Sequence, residues 1–301
     1  MKLVRSSLTV QMKVSETDVE LADDLSETLN SLIGRGDART LILIAYSPGD
    51  YRDENLHFFI KKGGIIDNEH YYYVFIVSNS WDPTLYQRDI LSYSNTEILI
   101  RENYGLDFCS WKIGLHIYKN RGFKSFIVLN ASIRGHFLPV WANHVRWPDL
   151  FVRPLDANTG LPGLTVNCDG NMSSLHIQSM ILSFKKNVLP LIIQTFRCLA
   201  DRTEVINTCE KGTTQDILNA GYNIHITQKY WQNHEFRDRK ATRKKCGKTM
   251  DVFYPNRNFG IDIHPLETIF VKTNRRVNPL VLSKYTGWIP ETRMQGNSES
   301  R

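Results

Sequence analysis

Four short apolar runs, each closing on small polar residues, constrain this chain more than any other feature. Thr40 to Tyr46 (TLILIAY) ends in Ser47-Pro48-Gly49-Asp50, and Tyr72 to Val77 (YYVFIV) ends in Ser78-Asn79-Ser80. Glu97 to Ile100 (EILI) ends in Arg101-Glu102-Asn103, and Phe123 to Leu129 (FKSFIVL) ends in Asn130-Ala131-Ser132. Runs of this kind are strands buried on both faces and closed by loops. Between the third and fourth, a helix is predicted from about Asp107, with Phe108, Trp111, Leu115 and Tyr118 on one face. Strands alternating with helices specify an α/β fold with a mostly parallel sheet, whose ligands bind beyond the carboxyl ends of the strands. Those ends carry Ser47, Asn79, Asn103, Asn130 and Ser132.

At 301 residues, 42% of them hydrophobic, the chain can fill one large core. The expected organisation is an extension over 1–39, a single main domain over 40–276 and a C-terminal tail over 277–301. In the extension, Leu21, Leu25, Leu29 and Leu32 make Thr17 to Ile33 an amphipathic helix, stopped by Gly34. The Trp- and Pro-rich stretch from 137 to 162 reads as a functional loop region. Ser173 or Ser174 is expected to cap a helix burying Ile177, Met180, Ile181, Phe184 and Val188. A second helix is expected with Thr213 as cap, Asp216 at capping-box spacing and Gly221 as stop, followed by a strand at Tyr222 to Ile226.

The net charge of +6 is modest, and much of it lies in RDRKATRKKCGK, Arg237 to Lys248. This reads as a basic surface loop that could also meet phosphates or an anionic glycan. Nucleic acid is not an expected partner, because no zinc-finger spacing, RNP motif or basic helix accompanies the patch. The five cysteines (Cys109, Cys168, Cys198, Cys209, Cys246) are scattered without a CxxC, which predicts neither a metal knuckle nor a disulfide framework. A reducing, cytoplasmic setting is therefore expected. No stretch of about 18 apolar residues occurs, so the sequence predicts no transmembrane segment, and any contact with a membrane would be peripheral or through a partner.

Three segments carry chemistry. In Glu102-Asn103-Tyr104-Gly105-Leu106-Asp107-Phe108, Gly105 permits a sharp turn, and Asp107 either caps the helix or turns its carboxylate toward ribose or sugar hydroxyls. In Phe126 to Pro139, the strand ends in Asn130 and Ser132, and Arg134-Gly135 adds a fixed positive charge suited to a diphosphate. In Cys209 to Tyr222, Glu210 lies just ahead of the helix expected from Thr213, where it either stabilises that helix end or serves as a general base.

NYGLDFCSW, VLNASIRGHFLP, HIQS (His176 to Ser179), EKGTTQDILNAGY and HPLETIFVKTNR (His264 to Arg275) occur in that order. Together they resemble a glycosyltransferase-like family related to rhamnan-synthesis and rhamnosyltransferase proteins, over roughly residues 40 to 276. His136 and Lys211 depart from the family pattern. The resemblance implies a GT-A-like fold, a nucleotide-sugar donor and a glycan hydroxyl as acceptor. It implies Glu210 as catalytic base with Asp216 behind it. The nucleotide end would be held by Tyr46, Asn79, Asn103, Gly105 and Asp107, and the diphosphate sugar by Asn130, Ser132 and Arg134. His176 and Gln178 would line the sugar or acceptor pocket, His176 otherwise being a structural histidine.

In GT-A enzymes the position of Asn130 and Ser132 holds a metal-binding Asp-x-Asp motif. The candidate cofactor is therefore a divalent cation (Mn²⁺ or Mg²⁺), but Asn130 and Ser132 lean against a tightly bound one, since asparagine and serine are poor ligands for such hard ions. A glycosyltransferase is the expected function. The alternative is a carbohydrate-binding or scaffold protein that keeps the fold without catalysis.

Overall fold

The computed structural model describes residues 9–11, 39–142, 144–168, 171–246 and 251–291. The helix expected at Thr17 to Ile33 lies outside them. After β1 (Thr9–Gln11), the apolar runs form β2 (Thr40–Tyr46), β3 (Tyr71–Ser78), β4 (Thr96–Arg101) and β5 (Ser125–Asn130). Helices α1 (Asp50–Lys61), α2 (Gln87–Leu91) and α3 (Leu106–Tyr118) make the crossovers between β2 and β5.

A short strand β6 (Ile133–Gly135) follows, and the chain continues through β7 (Thr159–Gly163), β8 (Val166–Asn167), β9 (His176–Ile177) and β10 (Ile181–Lys185). Helices α4 (Leu189–Thr195), α5 (Arg202–Val205) and α6 (Lys211–Asn219) then lead to β11 (Asn223–Ile226). The last elements are α7 (Arg239–Cys246), β12 (Phe270–Lys272) and α8 (Pro279–Trp288), the last within the segment read as a tail.

The main sheet has the order β1-β4-β3-β2-β5-β10-β7-β11. The first five strands pair in parallel, whereas β10 runs antiparallel to both β5 and β7. The expected α/β architecture, a mostly parallel sheet flanked by helices, is thus observed. Every residue of β2 and β5 is buried. Because side chains alternate across a strand, Leu41 and Leu43 enter one core with Trp111 and Leu115 of α3. Ile42 and Ile44 enter the opposite core with Phe59, Trp147 and Phe151. A Cβ on Gly114 of α3 would meet Ile76 Cδ1 at 2.7 Å and Leu43 Cδ1 at 2.8 Å, so glycine lets that helix lie close on the sheet.

Three expectations are corrected. The helix expected after Ser173 is instead β9, β10 and only then α4. Ile181 to Phe184 are buried on both sides of the sheet, Phe184 stacking on Phe126 with ring centroids 5.5 Å apart, and a run buried everywhere imitates helical spacing. The basic loop at Arg237 to Lys248 contains α7.

The cysteines do pair. Cys109 joins Cys198 and Cys168 joins Cys246, over separations of 89 and 78 residues, leaving Cys209 free and buried. Spacing along a chain says nothing about pairs brought together by folding. The expectation of no disulfide framework is thereby corrected. Among the described residues no helix is long and apolar enough to cross a membrane.

Candidate functional site

The connection from β2 runs outward through β3 to β4 and then returns to β5 on the other side of β2. A crevice opens where the order reverses, beyond the carboxyl ends of the strands. There a cavity of about 450 Å³ is lined by Tyr46, Ser47, Ser78, Arg101, Asn103 and Asn130 from the strand ends, with Asp107 at the start of α3.

Gly105 makes this turn possible. It precedes α3 with φ 70°, and a Cβ there would lie 2.6 Å from Cys109 Cβ. Asp107 is not a cap, since no side chain caps α3. Its Oδ2 accepts a hydrogen bond from Asn130 Nδ2 (2.7 Å). Asn130 Oδ1 in turn accepts from the Ser132 backbone N–H (3.0 Å) and Oγ–H (2.6 Å). The Asn-Ala-Ser segment is therefore a hydrogen-bonded unit that orients Asp107. Burial pushes the Asp107 carboxyl up to about 6, while the Asn130 hydrogen bond and the nearby Arg52, Lys272 and Arg101 pull it down. Arg101 is buried, which lowers its guanidinium to about 10, and it donates to the carbonyls of Tyr104 and Leu106. Tyr46 donates to Asp53 Oδ1 (2.7 Å), and burial raises its phenol further.

The opposite wall comes from distant segments. Asp201 caps α5 by accepting from the Glu204 N–H (2.7 Å). The helix then passes through a π turn, Ile206–Glu210, directly into α6. Glu210 therefore lies inside a longer helix rather than just ahead of one, so it does not stabilise a helix N-terminus there. Thr213 is no cap either, because its hydroxyl donates back to the Cys209 carbonyl (2.5 Å). The π turn inserts a residue into the helical repeat, and Arg202, Ile206 and Glu210 all line the cavity. Glu210 Oε1 accepts from the Ser179 N–H (3.1 Å) and Oγ–H (3.0 Å).

His176 and Gln178 also line the cavity, on β9 and just after it rather than on a helix. His176 Nδ1 donates to the Ser174 carbonyl (2.6 Å), so in the neutral ring Nε2 accepts from Asn167 Nδ2 (3.4 Å). Gln178 Oε1 accepts from Thr165 (2.6 Å).

Three proposed site residues lie elsewhere. Arg134 is buried, with Nε donating to Asn55 Oδ1 (3.0 Å) and Nη2 to Glu54 Oε2 (2.5 Å), so α1 consumes its charge. Asp216 faces α4 and accepts from Thr195 Oγ1 (2.7 Å), away from the cavity lining. Asn79 is exposed and its backbone N–H donates to Arg101 O (2.7 Å), its neighbour Ser78 taking the cavity position. Of the two departures from the family pattern, His136 binds the Gly63 carbonyl (3.0 Å) and Lys211 binds Asn207 Oδ1 (2.9 Å), both outside the lining.

The residues missed from the sequence are chiefly cations. Arg52, Arg101, Arg202, Lys272 and Arg275 line the cavity against the carboxylates Asp107, Glu210 and Asp251, leaving an excess of positive charge. Lys272 arrives because β12 pairs antiparallel with β6, setting Lys272 opposite Ile133. Thr273 N–H donates to Ser132 O (3.0 Å), and Asn55 Nδ2 ties Thr273 Oγ1 (2.7 Å) to Ala131 O (2.9 Å). Arg275 Nε pairs with Asp251 Oδ2 at 2.7 Å. The segment VKTNR carried the signal for these residues, but only its place beside β6 gives it a role.

The family model described as "Rhamnan synthesis protein F" matches residues 74–245, more than half of the chain. No curated protein matches the sequence. Among solved structures, the chain is similar to the mannosyltransferase PcManGT from Pyrobaculum calidifontis, determined with GDP-Man and Mn²⁺ (12% identity, TM-score 0.41, 69% of this chain and 61% of that one). It is also similar to the bifunctional glycosyltransferase WbbM (10%, 0.39, 70% and 45%). A third is the glycosyltransferase GlyE of Streptococcus pneumoniae (11%, 0.37, 69% and 50%). The chain spans less than two thirds of the length of each of these proteins.

Proposed function

We propose that this chain, which belongs to the rhamnan synthesis protein F family, transfers a sugar from a nucleotide-sugar donor to a glycan hydroxyl. The observation that carries this reading is one cavity, at the carboxyl ends of the parallel strands, lined by the carboxylates Asp107, Glu210 and Asp251 and by the cations Arg52, Arg101, Arg202, Lys272 and Arg275. Its volume, about 450 Å³, suits a ligand of nucleotide-sugar size.

In this reading Asp107, oriented by Asn130, accepts hydrogen bonds from donor hydroxyls, with Tyr46 and Asn103 beside it. The cations hold the diphosphate. Glu210, anchored through Oε1 by Ser179, uses its other oxygen to take the proton of the acceptor hydroxyl as that oxygen attacks the donor's anomeric carbon. His176 and Gln178, fixed by Ser174 and Thr165, shape the sugar side of the cavity. Transfer assays with a panel of nucleotide sugars test the proposal, and absence of both binding and turnover with every donor sinks it. In the alternative reading the protein binds carbohydrate without catalysis, as the missing acids at Asn130 and Ser132 suggest. It predicts binding of glycan alone, with no affinity for any nucleotide sugar.

A further inference from the structure

Resting on the donor-site reading above, the inference concerns how the leaving diphosphate is neutralised. The donors lining the cavity do not suit a divalent cation. Asn130 Oδ1, at the position where an Asp-x-Asp motif would supply a carboxylate, already accepts two hydrogen bonds from Ser132. Asp251 is paired with Arg275, and Glu210 Oε1 is held by Ser179. Asp107 lies in the field of Arg52, Lys272 and Arg101, which repels a second positive ion. Among the described residues, no group of three or more His, Cys, Asp and Glu side chains is placed to hold a metal. Hard cations need several oxygen ligands of this kind.

The cations, by contrast, are abundant and poised. Lys272 is largely desolvated, which lowers its ammonium pKa, and Glu210 and Asp251 on one hand and Arg275 and Arg202 on the other all bear on its charge. Arg52 Nε is buried without a hydrogen-bond partner. An unpaired buried guanidinium N–H is costly unless a ligand satisfies it, and a phosphate oxygen is the acceptor that suits it best.

We infer that Lys272, Arg275 and Arg52 take up the charge of the departing diphosphate, in place of a divalent metal. The step balances without a further reactant. The bond from the anomeric carbon to the diphosphate oxygen breaks, and its electron pair leaves on that oxygen, adding one negative charge to the nucleoside diphosphate. The acceptor oxygen forms the new bond to the anomeric carbon, and its proton passes to Glu210. Fixed cations in a partly desolvated cavity stabilise the new charge without having to reorganise.

Calorimetry of the full chain with uridine, guanosine and thymidine diphosphates, first in EDTA and then with Mn²⁺, tests this. The expected result is that at least one diphosphate binds in EDTA and that Mn²⁺ leaves its affinity unchanged. Lys272→Met and Arg275→Gln should each weaken it about tenfold to a hundredfold, the worth of one charged hydrogen bond, while Lys272→Arg restores it. Binding that disappears in EDTA and returns with Mn²⁺ overturns the inference and leaves the donor-site reading intact, and this arm needs no variant to fold. Folded Lys272→Met and Arg275→Gln proteins that bind like the unaltered chain also overturn it. Failure of every diphosphate to bind in either condition removes the donor-site reading and the inference with it.

Discussion

The two walls of the cavity are built in opposite ways. The wall formed by β2, β4, β5 and the start of α3 is local: Asp107, Asn130 and Ser132 stand at strand ends or the first turn after one, and their hydrogen bonds close among themselves. The wall formed by Ser179, Glu210, Asp251, Lys272 and Arg275 gathers segments far apart in sequence, and its charges compensate across those segments. Position is thus supplied by the sheet, and charge by long-range assembly. Cys109–Cys198 bridges the two, tying α3 to the segment that enters α5.

The sharpest way to separate the walls is Glu210→Gln. Transfer should fall by about 10²- to 10⁴-fold, the usual contribution of a general base, with donor affinity unchanged. A parallel loss of donor affinity would show that the walls do not act separately. Next in size, replacing Cys109 and Cys198 by serine removes a cross-link spanning 89 residues. The loss expected from loop-closure entropy is about 4 kcal/mol, read as a lower denaturation midpoint. Gly105→Ala forces a side chain into a left-handed turn against Cys109 and should cost about 1–3 kcal/mol. An unchanged midpoint there would mean that the turn relaxes freely.

A smaller effect separates the walls by pH. Asp107 titrates near 6, so as pH falls through that value it gains a proton and loses acceptor capacity. Donor affinity should drop by about tenfold per pH unit below 6, and Asp107→Asn should flatten that part of the profile. For stability the sign is opposite: this raised carboxyl favours folding at low pH, and its contribution is lost as pH rises through about 6. A profile that Asp107→Asn does not alter would remove Asp107 from the donor site. The smallest effect belongs to Asp216, which faces Thr195 rather than the cavity. Asp216→Ala should lower stability by about 1 kcal/mol and leave transfer untouched, and a loss of activity would reinstate it as a site residue.

The sequence was most legible where burial and chain direction act locally. The strand cores of β2 to β5 and the face of α3 follow from unbroken apolar runs and from helical spacing, and Asn130, Ser132, Asp107 and Tyr46 follow from the ends of those elements. It misled where burial was complete, as in β10, whose Ile181 to Phe184 imitate a helix face. It also misled where a helix ran on past a local cap signal, as at Thr213, because the true cap, Asp201, lies well upstream and a π turn intervenes. Arg134 looked like the diphosphate cation because it follows the strand end, but α1 claims it through Glu54 and Asn55.

The sequence by itself determined the α/β alternation and the polar strand ends, Asn130 and Ser132 among them, that mark the crevice. Each is a property of neighbouring residues, and local sterics and hydrophobicity suffice to produce it. Only the tertiary structure decided which charges enter the crevice and which cysteines pair. Lys272 reaches the site through the pairing of β12 with β6, Arg275 is held there by Asp251, and Cys109 finds Cys198 across 89 residues. Contacts of that kind depend on how the whole chain closes on itself, which no local pattern records.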